Sequence, residues 1–160
     1  MSTVNTAEKF MRRAIELSRQ HMQAGHGGPF GAVVVRDGKI IGEGWNSVTS
    51  SYDPTAHAEV MAIRRACEAM QNFDLSDCEI YTSCEPCPMC LAAIYWARIG
   101  AIYQANTRDD AAAIEFDDAY LYRELLKPLD QRDVPVRQLL RDEAQVVFRE
   151  WTQKSDRIEY

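Results

Sequence analysis

The sequence predicts an α/β fold in which helices pack on both faces of one central sheet. Three observations carry this. Short β-rich runs alternate with helical periodicities along the 160 residues, the pattern of a layered α/β domain. Gly31-Ala32-Val33-Val34-Val35 meets Lys39-Ile40-Ile41-Gly42 through Asp37-Gly38, two β-rich runs and a turn signal that read as a hairpin. The length suits a single domain, residues 1–160, with a sizeable core, and no repeat, low-complexity stretch or linker interrupts it.

The elements follow in order. Asn5-Thr6-Ala7-Glu8 fits a helix N-cap with a carboxylate three residues on. Phe10, Met11, Ala14, Ile15, Leu17 and Met22 then recur at helical spacing, so a helix is expected near residues 6–24, broken by Gly25-His26-Gly27-Gly28-Pro29. After the hairpin, Pro54 and Thr55 lead into a helix from Ala56 to Met70. Glu79-Ile80-Tyr81-Thr82 is a strand. Pro88 to Arg98 is a helix with proline in its first turn, where a missing N–H is harmless. Ala101-Ile102-Tyr103 is a strand, Tyr120 to Leu126 a helix, and Val134 to Leu139 a fifth strand. Ala144, Val147, Phe148 and Trp151 mark one face of a last helix.

Composition narrows the function classes. The apolar fraction of 46% is ordinary for a globular protein, and no apolar run approaches the ~20 residues that span a bilayer. The opening MSTVNTAEKF lacks the layout of a signal peptide, so a cytoplasmic protein without membrane contact is expected. A formal charge of -6 argues against nucleic acid as a partner, because phosphate binding needs a basic surface. Five cysteines is an odd count, and three crowd into Cys84-Glu85-Pro86-Cys87-Pro88-Met89-Cys90. In a reducing compartment that spacing favours metal over disulfides. Cys67 and Cys78 stand alone and read as buried packing residues.

The chemistry is concentrated in two short segments, His57-Ala58-Glu59 and Pro86-Cys87-Pro88-Met89-Cys90. Zinc takes imidazole nitrogen and thiolate sulfur in a tetrahedral shell, and a catalytic site leaves one position for water. Cys87 and Cys90 are three apart at a helix start and share a face, and the positive helix end favours their thiolates. His57 can be the third ligand if the loop after Pro54 brings it beside them. His57 and Glu59 converge only if the first turn is irregular, since two residues apart on an ideal helix point in different directions. Glu59 can then take a proton from a zinc-bound water of pKa ~7, pass it to a ring nitrogen and protonate a departing amine. H-x-E followed by P-C-x-x-C is the signature of zinc nucleobase deaminases. Either half alone is weak: His-x-Glu is common at helix starts, and Cys-x-x-Cys also serves redox and structural zinc sites. Cys84 could complete a closed three-cysteine site; its place at a strand end, before the helix that presents the other two, argues against this. Glu85 reads as a residue that caps backbone.

Beyond these segments, the chain resembles the bacterial guanine deaminases of the cytidine-deaminase-like superfamily along nearly its whole length. The resemblance rests on Gly28-Pro29-Phe30-Gly31-Ala32-Val33, Asp53-Pro54-Thr55-Ala56-His57-Ala58-Glu59, Tyr81 through Cys90, Ile94-Tyr95-Trp96-Ala97-Arg98, Phe116-Asp117-Asp118 and the final Glu159-Tyr160. The zinc motifs belong to the whole superfamily; Phe116-Asp117-Asp118 and the terminal tyrosine point to guanine. The resemblance implies a three-layer fold around a mixed sheet of about five strands. It implies attack at C2, turning guanine and water into xanthine and ammonia, with Zn2+ as cofactor. It also implies a homodimer in which the C-terminal segment swaps onto the partner. On the same ground Asn46 binds the base through its amide, Asp118 hydrogen-bonds to the purine and carries a second proton, and Tyr160 closes the pocket. Phe30, Ala58 and Trp96 are candidate lining residues.

Each of these has a plainer reading. Loop asparagines such as Asn46 commonly satisfy backbone. Asp118 sits in an acidic patch with Glu115 and Asp117, Phe30 and Trp96 could be core, and a terminal tyrosine is commonly frayed. As a set they suit guanine: an amide presents a donor and an acceptor, a carboxylate accepts from N–H, and aromatic rings form a flat slot. The rival functions are a guanosine deaminase, a tRNA adenosine deaminase, and a non-enzyme with structural zinc.

Overall fold

The computed structural model describes residues 3–160, with side chains from residue 6 onward. The chain divides into two compact units, Met1–Ala119 and Tyr120–Tyr160.

The first unit opens with helix α1, Thr3–Gln23. It already includes Asn5, so the cap expected there does not form, and the helix begins three residues earlier. Strands β1, Gly31–Arg36, and β2, Lys39–Trp45, form the hairpin. Its turn has positive φ at both Asp37 (49°) and Gly38 (71°), the type I′ geometry whose twist matches two antiparallel strands. A bulge follows at Ile41, where Val34 pairs with Gly42 and Val35 with Ile40. A short helix α2, Val48–Ser51, leads to α3, Ala58–Met70. Strand β3, Cys78–Cys84, helix α4, Pro88–Trp96, and strand β4, Ala101–Asn106, come next, then α5, Arg108–Ala112.

The strands form one mixed sheet in the order β2-β1-β3-β4, with β1 antiparallel to both neighbours and β3 parallel to β4. Side chains alternate across the pleat, and the two resulting faces have different covers. Ala32, Val34 and Ile80 pack with Ala58, Ala62 and Ala66 of α3 and Ile94 of α4. Val33, Val35 and Tyr81 pack with Phe10 and Leu17 of α1. This is the expected three-layer arrangement. Close approach of α3 to β2 depends on missing side chains: a Cβ at Gly44 would lie 2.0 Å from the Ala58 carbonyl and 2.4 Å from the Ala62 nitrogen. The beginning of α3, where Glu59 sits, therefore rests directly on the sheet.

The second unit contains α6, which runs Ala119–Leu126 from the unit boundary, a 3-10 turn at Leu129–Gln131, and α7, Arg141–Gln153. The expected strand over Val134–Leu139 is absent. That stretch carries no strand pairing, and Val134, Val136 and Leu139 are exposed. The sheet among the described residues thus has four strands, not five. The β-branched valines of this stretch have strand propensity, but a strand exists only where a partner edge completes its hydrogen bonds.

Candidate metal centre and substrate pocket

Two loops and two helix starts build the site. Asp53 Oδ1 accepts from the Thr55 amide (2.8 Å) and hydroxyl (2.7 Å), and the His57 amide donates to the Thr55 carbonyl (2.8 Å). This tight turn holds His57 in extended backbone (φ -72°, ψ 156°) as the residue that caps α3. Because His57 stands outside the helix, its ring and the Glu59 side chain, one residue inside the first turn, can face the same space. Cys87 occupies the equivalent place before α4 (φ -66°, ψ 168°), with Pro88 opening the helix and Cys90 one turn in.

The three donors converge. His57 Nδ1 lies 3.6 Å from Cys87 Sγ and 3.5 Å from Cys90 Sγ, and all three donor atoms fall within 4.8 Å of one another. Zn–S of ~2.3 Å and Zn–N of ~2.0–2.1 Å at a tetrahedral angle require an N···S separation of about 3.5–3.6 Å, so the residues fit a zinc ion through Nδ1. Electrostatics agree. The Cys87 thiol is held down to about 4 by hydrogen bonding with Cys90, with burial opposing and His57 assisting. The Cys90 thiol is pushed far up, first by its partner Cys87 and then by burial. His57 is raised by its hydrogen bond with Cys87, against burial. Without metal the cluster therefore keeps protons that a bound cation displaces.

Cys84 takes no part in the cluster. Its thiol donates to the Thr107 carbonyl at 3.5 Å, and burial raises it to about 11. The closed three-cysteine alternative fails on this geometry, and the donor set is His57, Cys87 and Cys90. Glu85 caps backbone as expected: Oε2 accepts from the Arg108 amide (3.0 Å), while Oε1 pairs with the Arg108 guanidinium. Cys78 is buried and Cys67 half-buried.

Glu59 is only 6% exposed. Burial raises its pKa; a hydrogen bond from its own backbone opposes this. Thr82, two residues beyond Ile80 and so on the same sheet face, brings its hydroxyl 3.3 Å from Glu59 Oε1. Sequence reasoning missed Thr82. The signal was available in the register, since alternation along β3 puts Ile80 and Thr82 together on the face that α3 covers.

Asn46 is buried, and its Oδ1 accepts from the amides of Gly28 and Val48, both at 3.2 Å. The plain reading thus holds for the oxygen, leaving the NH2 as the donating end. Gly27 makes this seat possible: a Cβ there would sit 2.2 Å from Asn46 Oδ1 and 2.5 Å from its carbonyl oxygen. Phe30 meets Phe116 edge-on with ring centroids 4.9 Å apart, and Ala58 is fully buried. The acidic patch separates into different roles. Asp117 Oδ1 accepts from the Ala119 amide (2.9 Å) at the start of α6, whereas Asp118 is half-buried. Burial and then the Cys87 thiolate push the Asp118 carboxyl up, with Arg108 opposing. Trp96 is not brought beside them: it ends α4, two turns beyond Cys90, and is 67% exposed. Tyr160 lies in the second unit and is exposed.

The model of the cytidine and deoxycytidylate deaminase zinc-binding region matches residues 4–106. The chain belongs to this zinc-dependent deaminase family. Within the family, it is 51% identical over 153 residues to guanine deaminase of Bacillus subtilis, covering 96% of this chain and 98% of that one. The crystal structure of the Bacillus enzyme superposes with a TM-score of 0.94 at 49% identity, covering 100% and 99% of the two chains. A guanine deaminase structure from Nitrosomonas europaea gives a TM-score of 0.66 at 33% identity, covering 91% and 84%. Similarity to the tRNA-specific adenosine deaminase of Haemophilus influenzae is 46% but spans only 58% of this chain and 53% of that one. No helix among the described residues of this deaminase is long and apolar enough to cross a membrane.

Proposed function

We propose that this deaminase converts guanine and water to xanthine and ammonia, with His57, Cys87 and Cys90 holding Zn2+ and Glu59 carrying protons. The observation that carries the catalytic reading is the convergence of three metal donors at 3.5–3.6 Å beside the buried Glu59. Zinc bound there supplies a Lewis acid that brings water ionisation towards neutral pH. Glu59 accepts a proton from the water that attacks C2, delivers it to a ring nitrogen and protonates the leaving amine as ammonia. The Asn46 NH2 donates to an acceptor of the base, since its oxygen is already engaged by Gly28 and Val48. Asp118, half-buried, accepts from a purine N–H and carries the second proton. Phe30 and Ala58 line the slot.

Guanine is favoured over the other amino-heterocycles by the near-complete match to the Bacillus guanine deaminase, and by a related solved structure that holds 8-azaguanine. Support for the tRNA alternative stops at the part of the chain shared by both families, and the chain is net acidic. The test is ammonia release by zinc-loaded protein from guanine, guanosine, adenine, cytosine, cytidine and a tRNA anticodon stem. Guanine alone should react; equal turnover of guanosine would replace the base with the nucleoside as substrate.

We also infer a homodimer in which each C-terminal segment lies on the partner and its Tyr160 closes the partner's pocket. Support comes from the apolar side chains of the second unit: Leu126, Leu139 and Phe148 are among many left exposed there, and a second copy of the chain is the cover that the family resemblance implies. Such a cytoplasmic dimer would exclude water from the purine.

A further inference from the structure

Glu59 hangs from the first turn of a helix by a flexible side chain, yet its proposed work needs one carboxylate oxygen kept on the line between water, ring and leaving group. What holds it is on the neighbouring sheet. Thr82 is 2% exposed and lies in β3 with strands paired on both sides, opposite Ala32 of β1 and Gln104 of β4. Its backbone is therefore among the most constrained in the molecule, and a β-branched side chain adds a stiff χ1. Its Oγ1 is within reach of two oxygens, Glu59 Oε1 at 3.3 Å and the Cys84 carbonyl at 2.9 Å. A hydroxyl has one hydrogen and can also accept: it donates to Oε1 when Glu59 is ionised, and when Oε1 carries a proton it accepts from Oε1 while donating to the Cys84 carbonyl.

We propose that Thr82 is a positioning residue for Glu59: its hydroxyl, held on the rigid strand and able to turn its hydrogen between Oε1 and the Cys84 carbonyl, tethers Oε1 to the sheet and leaves the other carboxylate oxygen for the metal donors. A hydroxyl suits this place because it stays a partner of Oε1 before and after each proton transfer. A valine would fill the same volume without that partnership. The tether also ties the carboxylate to the strand that ends in Cys84, three residues before Cys87, so acid–base group and metal donors share one rigid support. Rigid support is what fixes geometry within the fraction of an ångström that proton transfer needs.

The proposal rests on the assignment of Glu59 as proton carrier, and the experiment separates the two. Thr82→Val, Thr82→Ser and Glu59→Gln are compared as zinc-loaded proteins, for zinc content, thermal midpoint, KM and kcat with guanine. Thr82→Val should keep its zinc and its KM within about twofold while kcat falls about 10–100-fold. Thr82→Ser should recover most of that loss, because it restores the hydroxyl. Infrared difference spectra against Glu59→Gln should show the Glu59 carboxyl band shifted in Thr82→Val and restored in Thr82→Ser. An unchanged kcat and band in Thr82→Val would overturn the tether. Equal loss in Thr82→Val and Thr82→Ser would also overturn it, since packing rather than the hydroxyl would then be responsible. If Thr82→Val does not fold, Thr82→Ser with wild-type kcat and band supports the tether, and Thr82→Ser with reduced kcat and a displaced band overturns it. Substantial turnover by Glu59→Gln would instead remove Glu59 from the mechanism, and the role of Thr82 with it.

Discussion

In the first unit Ala14, Leu17, Val33, Val34, Ala62 and Ile80 are sealed from solvent, whereas in Tyr120–Tyr160 no residue is buried and Phe148 is 74% exposed. The two helices that flank the chain make the contrast concrete. Both α1 and α7 carry an apolar stripe. That of α1 is covered: the Phe10 ring meets Tyr81 at a tilt of 53° with centroids 5.3 Å apart, and Leu17 joins the same cluster. That of α7, with Val147, Phe148 and Trp151, is exposed. A helix gains most of its stability by packing such a face, so the first unit closes its core with its own strands, while the second unit leaves its apolar side chains exposed. The metal-donor cluster, the buried Glu59 and Asn46 all lie in the first unit.

The contrast can be broken most decisively at chemistry. Glu59→Gln should cut turnover by about 10²–10⁴-fold while elemental analysis still finds about one zinc per chain. A comparable loss on deleting Glu159 and Tyr160 would bring the second unit into catalysis. Co-expression then decides which subunit it serves: the shortened chain and a Glu59→Ala chain, each nearly inactive alone, should regain one working site in mixed dimers. Inactive mixed dimers would assign the tail to its own subunit, and a fully active shortened protein would leave Tyr160 without a role.

Stability should separate the units next. Val34→Ala, in the sealed core, should cost roughly 2 kcal/mol and lower Tm by about 4–8 °C. Phe148→Ser should do little to an isolated subunit and instead weaken self-association, read by sedimentation. A large loss of stability in dilute Phe148→Ser protein, with no change in association, would mean that the ring is covered within the subunit.

The smallest effect concerns the seam between α1 and β2, where Arg13 makes two hydrogen bonds to Glu43 at 2.7 and 2.8 Å. Hydrogen bonding from Arg13 holds the Glu43 carboxyl below its ordinary value of 4.5, with burial opposing. A lowered folded value means the stabilisation is present above that ordinary value and is lost as pH falls through the lowered one. The pair is about one-third exposed, so solvent screening limits Glu43→Gln to about 0.5–1 kcal/mol at neutral pH. The gap from wild type in urea midpoint should narrow as pH falls below 4.5 and close once the carboxylate is protonated in the folded protein; a gap that persists unchanged on acidification would show that shape rather than charge is responsible.

How legible all this was depends on separation along the chain. Cys87 and Cys90 could be named from sequence because their spacing at a helix start puts them on one face, and His57 and Glu59 because the paired motifs recur in a known signature; that His57 and Glu59 can face the same space follows from the extended backbone of His57 outside α3. The hairpin at Asp37-Gly38 was legible because its turn signal is local. Val134–Leu139 was misread as a strand because its composition suits one, while the partner edge that would make it one is not encoded nearby. The Asn5 cap was misread because a local box competes with continuation of the helix, and continuation prevailed.

By itself, then, the sequence determined the donor set: one imidazole and two thiols able to hold a metal, with a carboxylate nearby, each half set by local spacing. Only the tertiary structure decided which acid of Phe116-Asp117-Asp118 caps a helix, that Cys84 turns to Thr107 rather than to the metal donors, and that Thr82 reaches Glu59 across 23 residues. These are contacts between elements distant in sequence, and sheet register and close helix packing, not neighbouring residues, set their distances.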